Sequence, residues 1–150
     1  MKRTILGFFI VALAVSAGLA APAPGDKTIQ FSLGGNLTML SATHENDSFF
    51  LVGAALRVDF NLGRSFSVAP EASAGIGGWT AGGTVNFRSR KFFAGAGYLA
   101  AGLGGSGQSW GVVSLLKVHA GTKGPKWLIA GSFVTNSWFK GFGLTAGYMF

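Results

Sequence analysis

Few residues in this 150-residue chain could do acid–base chemistry. Its two histidines, His44 and His119, are the only side chains that titrate near neutral pH without special surroundings. An acyl-transfer centre would need one of them beside a nucleophilic hydroxyl and an orienting acid. His44 lies in the polar stretch 41–48 (SATHENDS), and His119 is followed by Ala120, Gly121 and Thr122. With Lys117 two positions earlier, His119 reads as a member of a charged network and not as a base. The chain has no cysteine, hence no catalytic thiol, disulfide or thiolate metal site. Residues 95–100 (GAGYLA) superficially match a dinucleotide-binding glycine pattern, but no helix follows them. No spacing of His, Asp and Glu suggests a metal centre. The expectation is a protein that is not an enzyme and takes no cofactor or metal.

What remains is a set of charged residues, Arg57, Asp59, Glu71, Arg88, Lys117 and His119, each embedded in a run that alternates polar with apolar. In 28–40 (TIQFSLGGNLTML), Ile29, Phe31, Leu33, Leu37 and Met39 alternate with Gln30, Ser32, Asn36 and Thr38. A period of two is that of a strand. In 49–62 the same pattern sets Phe50, Val52, Ala54, Leu56, Val58 and Phe60 against Arg57, Asp59 and Asn61. In 66–76 it sets Phe66, Val68, Ala72, Ala74 and Ile76 against Ser67, Glu71 and Ser73, with Pro70 suggesting a local bulge or weak point. Further strands are predicted at 79–88, with Asn86 and Arg88 on the polar face, and at 110–120, with Lys117 and His119 there. Those at 127–135 and 138–150 complete the set, together with 92–101, where alanine and glycine on both faces blur the parity. Tight turns fall at 61–65 (NLGRS), 77–78, 88–91 (RSRK), 121–126 (GTKGPK) and near Asn136, and 102–109 (GLGGSGQS) reads as a flexible loop.

Charged residues are 11% of the chain against roughly 25% in ordinary soluble domains, while hydrophobic residues reach 49% and glycines number 25. The formal charge of +7 is scattered through strands and turns, which argues against nucleic acid as a partner. Lys2 and Arg3, an apolar run over 5–15 and small residues up to Ala21 make 1–21 a cleavable signal peptide, with 22–27 a short linker. An uncleaved helix is the alternative, but its core is short for the roughly 20 residues of a span. For 28–150 the expected fold is all-β: an eight-stranded antiparallel up-and-down transmembrane β-barrel. Each strand has an oily face, no helix is predicted to cover it, and strands of about 9–11 residues suit a membrane barrel. Trp79, Trp110, Trp127 and Trp138 fall near predicted strand ends, where an aromatic girdle sits, although each also suits ordinary packing.

The terminal run 138–150 (WFKGFGLTAGYMF) closes on Tyr148-Met149-Phe150. With this ending and eight amphipathic strands, the mature chain resembles the small eight-stranded outer-membrane β-barrel proteins of Gram-negative-type bacteria, the OmpA-like and OmpX-like barrels. The family pattern favours a glycine where Thr145 stands. The resemblance implies location in the cell outer membrane, a structural or surface-interaction role, porin-like architecture and a monomer. It makes Tyr148 and Phe150 an assembly signal for the barrel-assembly machinery and outer-membrane lipids a partner, while the peptidoglycan-binding domain of the larger relatives is not expected here. Both chain ends would face the periplasm, gathering Arg64, Arg90, Lys91, Lys123 and Lys126 at one rim with Glu45 and Asp47 outside. Those cations would meet anionic lipid headgroups or simply solubilise turns. Gln30, Asn36, Arg57, Asp59, Glu71, Asn86, Arg88, Lys117 and His119 would point into a polar, largely side-chain-filled interior. There Asp59 and Glu71 would compensate some of Arg57, Arg88 and Lys117. The runner-up readings are a narrow channel for ions or small solutes, a lipid A-modifying enzyme, and a soluble lipocalin-like lipid carrier. For the second, His119 lacks the histidine-x-serine spacing of the deacylases; the third needs its apolar faces inward.

Overall fold

A computed structural model describes residues 28–43, 48–89, 91–105 and 108–150. The signal peptide and linker, His44, Glu45, Asp47 and Arg90 therefore lie outside the described residues. Eight strands follow one another: β1 (Ile29–Ala42), β2 (Ser48–Asn61), β3 (Phe66–Ile76), β4 (Gly78–Arg88), β5 (Phe92–Gly105), β6 (Gln108–Lys123), β7 (Trp127–Thr135) and β8 (Phe139–Met149). Each pairs antiparallel with its neighbours, and β1 pairs with β8 from Ser32↔Met149 to Ala42↔Phe139, closing the ring. Closure leaves no sheet edge, so the strand backbone groups find partners in the ladder.

Several boundaries differ from the sequence reading. The glycine-rich stretch expected as a loop over 102–109 is strand as far as Gly105 and again from Gln108, and β6 runs on to Lys123. The pairing register of β5 with β6 shifts between Gly102 and Gly104, which marks one irregularity in the barrel wall. Pro70, expected to mark a local bulge or a weak point, is the second: it interrupts the β2–β3 ladder without shifting it, and Arg57↔Glu71 and Phe60↔Val68 keep the same register. Its missing donor falls on one neighbour, while it stays opposite Gly83 on the other. The β3–β4 connection is as tight as expected, with Gly77 at φ 90° and Gly78 at φ 137°, positions where a side chain would be strained.

Large apolar side chains point outward from every strand. Phe31, Leu56, Ile76, Phe87, Tyr98, Val118, Ile129 and Phe142, one from each, are all exposed. That is the reverse of a lipocalin, whose apolar faces line the inside, and in water it would be a severe aggregation surface. The described residues contain no helix long and apolar enough to cross a membrane.

The inside is not uniformly polar. At the end away from the chain termini, Leu40, Leu51, Leu99, Ala101, Leu103, Leu115, Val134 and Phe139 form a buried cluster, with Phe49 meeting Phe139 edge-on at 6.0 Å. A smaller cluster of Phe93, Leu128, Ala130 and Met149 occupies the other end. These residues occupy the inward parity of their strands, so the charged residues sit between two apolar layers. Leu115 is 1% exposed. Leu115→Ala is expected to lower folding stability by about 2–5 kcal/mol, seen as a lower urea midpoint of the folded band in detergent or vesicles. A cost under half of that would show a loosely filled end.

Candidate functional site

Between the apolar layers, β2, β3 and β6 bring Arg57, Asp59, Glu71, Lys117 and His119 to one level. Register and ring width together explain the meeting: Arg57 faces Glu71 across β2–β3, and the narrow ring lets Lys117 of β6 reach Glu71 from the far wall. Arg57 Nε and Nη2 donate to the two carboxylate oxygens of Asp59, each at 2.8 Å, a bidentate pair within one strand. Its Nη1 lies 3.6 Å from Glu71 Oε2, while Lys117 Nζ donates to Glu71 Oε1 at 2.5 Å. The four side chains keep only 9–15% of their surface exposed. Charges this buried are tolerable because each has an opposite partner in reach.

His119 extends the network. Its Nε2 lies 3.4 Å from Arg57 Nη1, and since a guanidinium can only donate, Nε2 accepts and the ring proton belongs on Nδ1. Phe93 lies against both, its ring centroid 5.2 Å from Arg57 Cζ and 5.6 Å from the imidazole, to which it is tilted by 58°. Among the described residues His119 has no carboxylate against Nδ1 and no serine hydroxyl against Nε2, so they do not form the geometry of an acyl-transfer triad around it. A cavity of about 30 Å³ runs beside the network, lined by Ser32, Asn36, Ser73, Thr80, Ser132 and Thr145 among others. That is room for a water or two, far below the roughly 300 Å³ at which ligand pockets begin.

Arg88 points inward but stands apart from this cluster: its Nη2 donates to the Gly63 carbonyl at 2.8 Å, tying the β2–β3 turn to β4. Asn86 is buried nearby and donates to Ser67 Oγ, which in turn reaches Asp59. Among the described residues no group of His, Asp and Glu could hold a metal. The sequence reading missed the apolar layers. Their signal was present in the even-numbered Leu40 of β1 and the odd-numbered Leu51 of β2, which break the polar parity.

The tryptophans divide between the two ends. Trp79, second in β4, and Trp138, just before β8, stand at the end away from the termini, Trp127 opens β7 at the other, and all three are exposed. The side chain of Trp110 lies outside the described part. Two indoles lie over a nearby glycine: a methyl on Gly102 of β5 would stand 2.2 Å from Trp79 Nε1, and one on Gly124 of the turn before β7 equally close to Trp127 Nε1. Phenylalanines are the more numerous exposed rings at the terminal end, namely Phe31, Phe60, Phe66, Phe87 and Phe92, and there Tyr148 meets Phe150 at 5.1 Å.

No family model matches the chain, and no curated protein is similar to it in sequence. Solved structures are similar in fold. Neisserial surface protein A aligns over 82% of this chain and 96% of its own, at 12% identity and a TM-score of 0.58. Ail, the attachment invasion locus protein of Yersinia pestis, solved with the heparin analogue sucrose octasulfate, aligns over 81% and 97%, at 15% identity and a TM-score of 0.52. The fold of this chain is thus that of a small outer-membrane β-barrel.

Proposed function

We propose that the chain is an integral protein of a bacterial outer membrane, with a structural or surface-interaction role and an interior that conducts nothing. One observation carries this: all eight strands of a closed ring turn Phe, Leu, Ile, Val, Trp or Tyr outward. Only hydrocarbon satisfies such a surface, and only a closed ring satisfies the backbone within it. Among the described residues, the apolar cluster at one end and the ion network at mid-height fill the lumen with side chains, which supports a closed interior. One similar barrel is named for attachment, which supports a surface role for the loops away from the termini. In this reading β8 is the segment offered to the barrel-assembly machinery, with Tyr148 and Phe150 as its aromatic signal. The protein is a monomer without catalytic activity.

Expression of the full chain in a Gram-negative host tests the proposal. It should fractionate with the outer membrane, need detergent for extraction and migrate faster unheated than heated. In planar bilayers the purified monomer should give no large, stable conductance steps. Recovery in the soluble periplasmic fraction would overturn the membrane assignment, and steady conductance would overturn the closed interior.

A further inference from the structure

The turns at the terminal end share a pattern. In each, a basic residue stands one or two positions before an aromatic that opens the next strand: Arg64 before Phe66 of β3, Lys91 before Phe92 of β5, Lys126 before Trp127 of β7. All six of these side chains are exposed. The turns lie side by side, joined by backbone bonds from Arg88 N to Ser65 O and from Lys123 N to Lys91 O, at 2.8 Å each; Met149 N to Lys126 O links the last turn to β8. Lys123 adds a fourth, half-buried cation beside Lys91. The turn sequences NLGRS, RSRK and GTKGPK contain no acid. Asp59, the nearest inward carboxylate, is occupied by Arg57.

We infer that this arc is a docking surface for the headgroups of anionic glycerophospholipid in the leaflet that surrounds the terminal end. The chemistry is that of a boundary with negative charge on one side and hydrocarbon on the other. The cations stand at the rim, where phosphate oxygens lie, and the rings stand directly beside them, at the depth aromatic side chains prefer. Trp127 shows the arrangement in one place, its indole lying over Gly124 of the turn that carries Lys126. At the opposite end the exposed cation among the described residues is Lys140, which has no such repeat around it.

This inference rests on the membrane-spanning reading, and the test separates the two. The full mature chain is refolded into phosphatidylcholine vesicles, where a heat-modifiable folded band checks membrane insertion alone. Spin-labelled phosphatidylglycerol and phosphatidylcholine are then compared for association with the barrel perimeter. Phosphatidylglycerol should be preferred by about fivefold or more, the weight of one basic residue at an anionic surface. The preference should collapse toward unity in the Arg64→Gln, Lys91→Gln, Lys126→Gln triple variant and in high salt, and survive Lys140→Gln. Equal association of both lipids with the unaltered protein would overturn the inference while leaving insertion intact. So would a preference that survives the triple variant or vanishes with Lys140→Gln.

Discussion

Glu71→Ala should destabilise the folded barrel by about 3–5 kcal/mol, the cost of stripping a buried ion of its partner. Glu71 serves two cations from opposite walls, Lys117 through Oε1 and Arg57 through Oε2. The loss falls unequally on them. Arg57 keeps both carboxylate oxygens of Asp59 at 2.8 Å, whereas Lys117 would be left as a buried ammonium on an apolar-capped level. Removing the stranded cation should therefore restore most of the stability. The double variant Glu71→Ala, Lys117→Met is expected to be more stable than Glu71→Ala alone, with a coupling energy of about 0.5–3 kcal/mol. Urea midpoints of the heat-modifiable band in phosphatidylcholine vesicles give both quantities. A double variant no better than the single would mean that Lys117 is solvated in the interior, and the network would then owe little to Glu71.

Period-two alternation made the strands legible because a barrel wall offers only two environments, hydrocarbon and interior. Phe31, Leu33, Leu37 and Met39 announce one, Gln30, Ser32 and Thr38 the other, and the structure places each on the expected side. Register then follows from short turns, so the meeting of Arg57 with Glu71 needed only the Asn61–Phe66 connection to be tight. Contact between Glu71 and Lys117 was less accessible, since it crosses the lumen and depends on ring closure and radius, which no local pattern states. The apolar plug was hidden for a related reason. Leu99 and Leu103 lie in a strand of alanine and glycine where parity is unreadable, and Phe139 stands next to the exposed Trp138, so neither declares its side. The extension of β5 to Gly105 was obscured by the glycines themselves, which read as loop but are held in the ladder opposite β4 and β6.

Two adjacent glycines at the closing seam should respond oppositely to the same methyl group. Gly34 of β1 faces the lumen opposite Gly147 of β8, and a Cβ built on it would stand 1.9 Å from the Ala146 carbonyl oxygen and 2.4 Å from the Gly147 Cα. Both are backbone atoms of the partner strand, so no rotamer change relieves the clash; β8 itself would have to withdraw. Gly35 points to lipid, and its added Cβ would meet nothing nearer than the Gly53 carbonyl at 3.9 Å, an ordinary contact. Gly34→Ala is thus expected to cost about 3 kcal/mol or more, beyond common overpacking because the seam must part, and to leave little heat-resistant folded band. Gly35→Ala should be neutral or stabilise by about 0.4–1 kcal/mol, since it restricts the unfolded chain without straining the folded one. The two chains have identical composition, so lipid solubility and expression do not distinguish them. Any difference in urea midpoint measures how closely β1 and β8 approach on the inner side. Equal midpoints would mean that the ring is not drawn tight at this pair, and the narrow lumen on which the Glu71 network depends would fail with it.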